Sequence, residues 1–164
     1  SIEDHSSCDY RKSDKSNLIV DKGIRIIKKN IVFEDNYWKI SGSHDGYLKK
    51  FQTIHEREIE FYPEQMKFIG FDKLLKKDKS KNIKFDIRFH LTPDTKVMKT
   101  QDNKSILIEL EDEGWKFNCD NFNINIDNGL YLGIKNSYKE NQNICISGIS
   151  KEESKIIKWE ITKL

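Results

Sequence analysis

Apolar and polar residues alternate at every second position along most of this chain, and no stretch sustains the i, i+3, i+4, i+7 spacing of an amphipathic helix. Ile83, Phe85, Ile87, Phe89 and Leu91 share one parity, while Lys84, Asp86, Arg88, His90 and Thr92 share the other. Successive side chains of a strand point to opposite faces, so this segment reads as a strand with one buried face. Phe122, Ile124 and Ile126 stand in the same way against Asn121, Asn123, Asn125 and Asp127, as do Ile106, Ile108 and Leu110 against Leu107, Glu109 and Glu111. Further strands are predicted over 23–34, 37–45, 54–62, 66–75, 115–119, 144–149 and 155–162. Turn signals at Asp45-Gly46, Asp102-Asn103, Glu113-Gly114 and Asn128-Gly129 separate them. About ten short strands punctuated in this way predict an all-β fold, an antiparallel multi-stranded β-sandwich. Within 23–34 the apolar parity shifts between Ile26 and Ile27, which predicts a β-bulge. Residues 1–17 lack periodicity and read as a loop-like lead-in to a single domain spanning 1–164.

Composition narrows the function classes. The 29 basic and 27 acidic residues leave a net charge of +2, too little to steer nucleic acid or an anionic membrane surface through a global field. No run of residues approaches the length of a membrane span. Cys8, Cys119 and Cys145 form no CxxC pair, and an odd count does not build a disulfide framework; Cys119 and Cys145 fall in apolar strand patterns, as buried thiols do. The chain opens Ser1-Ile2-Glu3 without a secretory leader pattern, so it is read as a portion of a longer protein.

Candidate chemistry gathers around histidine. Three of the four histidines sit in short polar clusters: His44-Asp45-Gly46-Tyr47, His55-Glu56-Arg57 and Arg88-Phe89-His90-Leu91-Thr92-Pro93. The chain has four arginines, and Arg57 and Arg88 stand beside these histidines, so a planar fork that reads carboxylates is placed next to titratable rings. Parity puts His44 with Trp38 and Ile40, His55 and Arg57 with Ile59 and Phe61, and Arg88 and His90 on the polar face of their strand. Such clusters suit an acidic ligand, a zinc ion or a general acid and base. They equally suit half-buried strand histidines satisfied by neighbours, and separations of 11 and 35 residues match no metal-ligand motif. Tyr47 after its turn reads first as a packing anchor, Asn121, Asn123 and Asn125 as a solvated face, and Trp38, Trp115 and Trp159 as core. No GxSxG, Walker loop or HExxH motif is present.

The ordered words Ser43-His44-Asp45-Gly46-Tyr47, Ile54-His55-Glu56-Arg57, Ile87-Arg88-Phe89-His90-Leu91-Thr92-Pro93 and Gly114-Trp115-Lys116-Phe117 resemble the C-terminal β-sandwich of the heparinase II/III-like family over about residues 37–160. The resemblance implies a polysaccharide lyase that cleaves uronic-acid-containing chains by β-elimination. Its sandwich pairs with an N-terminal helical toroid that supplies the main catalytic residues and does not occur in this sequence. His44, Tyr47, His55, Arg57 and Arg88 match the family's motifs and are expected to shape the groove for an acidic polysaccharide. Some members hold a divalent metal in the sandwich, and Asp45 and His90 are the ligands this implies for zinc or calcium. His5, followed by Ser6-Ser7, does not match the Ala-His-Ser-Thr-type strand of such enzymes and receives no catalytic role. The resemblance further implies a periplasmic or extracellular bacterial setting. The other reading is a carbohydrate-binding or polysaccharide-assembly module without chemistry.

Overall fold

The alternating segments pair into sheets whose apolar faces meet. A computed structural model describes residues 1–12, 18–78, 81–134 and 137–164. Strands β1 (Asp9–Lys12) and β2 (Leu18–Lys22) form a small antiparallel pair. The large sheet takes β3 (Ile26–Glu34), β4 (Tyr37–His44), β5 (Thr53–Tyr62) and β6 (Lys67–Lys76) in order, each antiparallel to the next. Beyond β6 the sheet continues through β13 (Ser154–Lys163), β10 (Glu113–Cys119), β9 (Ser105–Leu110) and β8 (Lys96–Lys99), giving eight strands. The facing sheet has three strands, in the order β11 (Asn123–Ile134), β12 (Ser137–Ser150) and β7 (Ile83–His90). One helical turn, α1 (Leu48–Phe51), connects β4 to β5.

The core lies where the small sheet covers the large one. Phe117, Ile106, Ile157 and Trp159 of the large sheet are buried against Ile87, Ile124, Ile144 and Ile146 of the small sheet. Phe89 joins the two layers, its ring 4.9 Å from Phe117 and 4.7 Å from Trp159. Neighbouring strands lie about 5 Å apart, so three strands cannot cover eight. The consequence falls on β3 and β4, where Ile31 (69% exposed), Phe33 (74%) and Ile40 (53%) form an uncovered apolar apron. Phe33 stacks on Trp38 at 5.0 Å, Trp38 meets Phe61 at 5.1 Å, and Phe61 stacks on Phe68 at 4.3 Å. Trp38, expected in the core, therefore belongs to this apron, whereas Trp159 is the buried one.

Several segment boundaries differ from the sequence expectation for physical reasons. Residues 1–17, expected to be a loop, contain β1, and Ile2 is a core residue bridged to Phe85. Asn128-Gly129 is no turn but lies inside β11, where a side chain at Gly129 would run into the amides of Asn141 and Asn143. Glu113-Gly114 opens β10, and the turn before it is made by Glu111 in the left-handed region, with φ 49°. The bulge expected in 23–34 is present as a register shift between Ile26 and Lys28.

Gly70 shows how tightly the layers fit. A Cβ there would fall within the ring of Trp159, whose indole is packed on Phe89 and Phe117 and has no room to retreat. Gly70→Ala should lower the stability of this domain by about 1–3 kcal/mol, read from its unfolding midpoint. A neutral result would mean that Trp159 is looser than its contacts show.

Candidate functional site

The functional cluster is a product of register. In the β4–β5 pairing His44 stands opposite His55, and in the β5–β6 pairing Arg57 stands opposite Asp72. Alternation then puts all four side chains on the face turned toward the small sheet. The turn after β4 adds Tyr47, which is buried at 8% exposure.

Asp72 is the centre of this arrangement and is completely buried. Its Oδ1 accepts from His55 Nε2 at 2.6 Å and from Arg57 Nε at 2.8 Å. Its Oδ2 accepts from Arg57 Nη2 at 3.1 Å and from Trp159 Nε1 at 2.8 Å. Burial alone would push the carboxyl up, but the bonds from His55 and Arg57 hold it below the usual carboxylate range. A buried charge paired this well stays ionised. His55 Nδ1 lies 3.1 Å from His44 Nε2, and the Gly46 N–H donates to His44 Nδ1 at 3.2 Å. Arg57 also lies over the face of Phe89, its guanidinium carbon 5.5 Å from the ring centre.

Burial, followed by the nearby His55, lowers the pKa of His44 from 6.5; Asp45 opposes the shift and Arg57 adds to it. A basic group with a depressed folded pKa takes up its proton first in the unfolded chain. His44 should therefore reduce stability as pH falls below 6.5, and the loss should level off below its lower folded value. Unfolding midpoints of wild type and His44→Gln across pH 5–8 check this. A slope unaffected by the substitution would contradict it.

These groups open onto a cavity of about 520 Å³, lined by His44, Tyr47, His55 and Arg57, by Asp86, Arg88 and His90 of β7, and by the segment leading into the fold, including Ser1 and Ser7. The sequence candidates for substrate binding thus meet at one cavity. The two arginines differ within it. Arg88 bonds Asp86 at 3.1 Å and approaches Asp127 at 3.8 Å, so two carboxylates share its charge. Asp86 would be raised by burial, yet the Ser147 hydroxyl and Arg88 keep it low. Among the described residues, Arg57 has one carboxylate partner and keeps an unused edge.

Asp45 and His90, paired as ligands in the sequence analysis, are not brought to a common centre. Asp45 accepts from the Arg25 backbone N–H at 2.9 Å and from its Nε at 3.2 Å, beside a separate cavity bordered by Lys49 and Lys50. His90 is engaged with Asn143 Oδ1 at 2.9 Å. Among the described residues no three His, Cys, Asp or Glu side chains form a metal cage. Cys119 and Cys145 are buried, as their strand pattern predicted, and burial pushes the Cys119 thiol up to about 12.

Sequence reasoning missed Asp72 and Trp159 as site residues. The available signal was parity: in Phe68-Ile69-Gly70-Phe71-Asp72-Lys73-Leu74 an acid takes the same face as Phe68, Gly70 and Leu74. A carboxylate in that position needs a cation across the sheet, and β5 carries Arg57 there.

Comparison with known proteins supports this architecture. A family model described as "Heparinase II/III-like, C-terminal" matches residues 1–160. Among curated proteins, none matches by sequence. A solved heparan sulfate lyase, HepC from Pedobacter heparinus, superposes with a TM-score of 0.69 at 13% identity, over 92% of this chain and 23% of that one. A heparinase III gene product aligns with a TM-score of 0.65 at 13% identity, over 85% of this chain and 21% of the other. A further heparinase III structure gives 0.59 at 11% identity, over 93% and 22%. The chain therefore spans under a quarter of the length of these structures.

Proposed function

Because this chain belongs to the heparinase II/III-like C-terminal family, we propose that it is the sandwich domain of a polysaccharide lyase acting on uronic-acid-containing chains. The carrying observation is the cavity that Arg57 lines together with Tyr47, His44, His55 and Arg88. β-Elimination removes the proton at C5 of a uronate and expels the oxygen at C4, leaving an unsaturated sugar. Proton removal builds negative charge on the uronate carboxylate, so a preorganised donor fork beside that carboxylate stabilises the transition state. Arg57 supplies such a fork. The base that takes the C5 proton belongs to the remainder of the parent protein.

On this reading an N-terminal helical domain packs on the apron of Ile31, Phe33, Trp38 and Ile40 and closes the open side of the cavity. Burying that much apolar surface favours association, and a patch of this kind marks an interface. An enzyme of polymeric uronates works where such polymers are, in the periplasm or outside the cell.

The test is incubation of the full-length protein with a panel of uronate polymers, following the ultraviolet absorbance of unsaturated products. Product from at least one polymer is expected. Salt-sensitive binding without product from any of them would favour a carbohydrate-binding module instead.

A further inference from the structure

We propose that Asp72 is the positioning residue of this groove, holding the free edge of Arg57 toward the substrate carboxylate and accepting the hydrogen that ends the His44–His55 chain. The proposal rests on the lyase reading above and adds the residue that organises the site.

A guanidinium has five N–H bonds arranged as two edges that can each grip a carboxylate. Asp72 occupies the Nε–Nη2 edge of Arg57 with both of its oxygens. Among the described residues none takes the Nη1–Nη2 edge, on a side chain 36% exposed at the cavity. The Phe89 ring, centred 5.5 Å from the guanidinium carbon, flanks the group without itself setting its rotation. The two bonds to Asp72 set that rotation.

The same carboxylate receives the end of the histidine chain. A backbone N–H can only donate, so the Gly46 contact makes His44 Nδ1 an acceptor and leaves the ring hydrogen on Nε2. That hydrogen points to His55 Nδ1, which must accept it. The hydrogen of His55 then sits on Nε2 and is donated to Asp72. Both rings are neutral in this chain of bonds, and every ring nitrogen has a partner. Neither offers a free lone pair to a C5 proton, so the pair supports the groove rather than acting as its base.

The test is a double-mutant cycle in the full-length protein. Asp72→Asn places a single carbonyl oxygen and an amide N–H among donors that the carboxylate had satisfied, releasing Arg57. Asp72→Asn and Arg57→Ala should each lower kcat/KM on a uronate polymer roughly 100-fold, the scale expected when a reacting group is misplaced by about 1 Å. The double variant should be no worse than the poorer single variant. Losses that multiply would overturn the proposal, because Asp72 would then act independently of Arg57.

A second measurement requires neither turnover nor a folded variant. The imidazole nitrogen-15 spectrum of the wild-type protein should show His44 and His55 both protonated at Nε2 and bare at Nδ1. A proton on Nδ1 of either ring would overturn the assigned direction. If the wild-type protein cleaves no uronate polymer, the lyase reading fails, while this spectrum still tests whether Asp72 accepts the hydrogen that ends the histidine chain.

Discussion

Asp72→Ala is expected to lower the unfolding free energy of this domain by about 3–5 kcal/mol, the range for removing one partner of a buried ion pair. The carboxylate is fully buried and accepts four hydrogen bonds, so its loss strands the Arg57 guanidinium and the Trp159 indole N–H together. Arg57 can recover some hydration at the cavity, but Trp159, 3% exposed, cannot. Denaturant unfolding followed by tryptophan fluorescence measures the effect. A change under about 1 kcal/mol, the size of an ordinary exposed pair, would show that the cluster adds little to stability. The acid limb provides an independent check. The pKa of Asp72 is depressed in the fold, so its stabilisation is fully present above the unfolded value near 3.8 and is lost as pH falls through the lower folded value. The Asp72→Ala protein should lack that part of the acid-induced loss.

Arg57→Ala in the full-length protein should reduce turnover of a uronate polymer by about 100-fold or more, as removal of a single transition-state donor does. Arg88→Ala should have a smaller effect, because Asp86 and Asp127 already share the Arg88 charge. Arg57→Lys should fail to restore the rate, since a lysine ammonium keeps the charge but not the two-edged fork. Initial rates at saturating and limiting substrate separate these outcomes. Equal losses at Arg57 and Arg88 would contradict the distinction drawn between them.

The sheets were legible because period-two patterning is strong where one face is buried, as in Ile83–Leu91 and Ile106–Leu110. The pattern is weaker in β11 and β12, which continue past their buried portions into exposed residues such as Leu132 and Tyr138, so their length was underestimated. Asn128-Gly129 resembles a hairpin turn by composition, but the glycine answers to the close approach of Asn141 and Asn143 from the neighbouring strand. Sequence cannot show that demand locally. The site followed the same logic. His44, His55 and Arg57 were readable as clustered words, but the residue that organises them sits on another strand and comes beside them only through the β5–β6 register. Asp45 and His90 looked alike as candidate ligands, but they line different cavities.

The most direct measurement compares one uronate polymer with the same polymer after chemical reduction of its carboxylates to neutral alcohols, using the full-length wild-type protein and ultraviolet detection of unsaturated ends. If the Arg57 edge grips a uronate carboxylate while the C5 proton leaves, the native polymer gives product and the reduced polymer gives none. Cleavage of both polymers at the same rate would contradict the account.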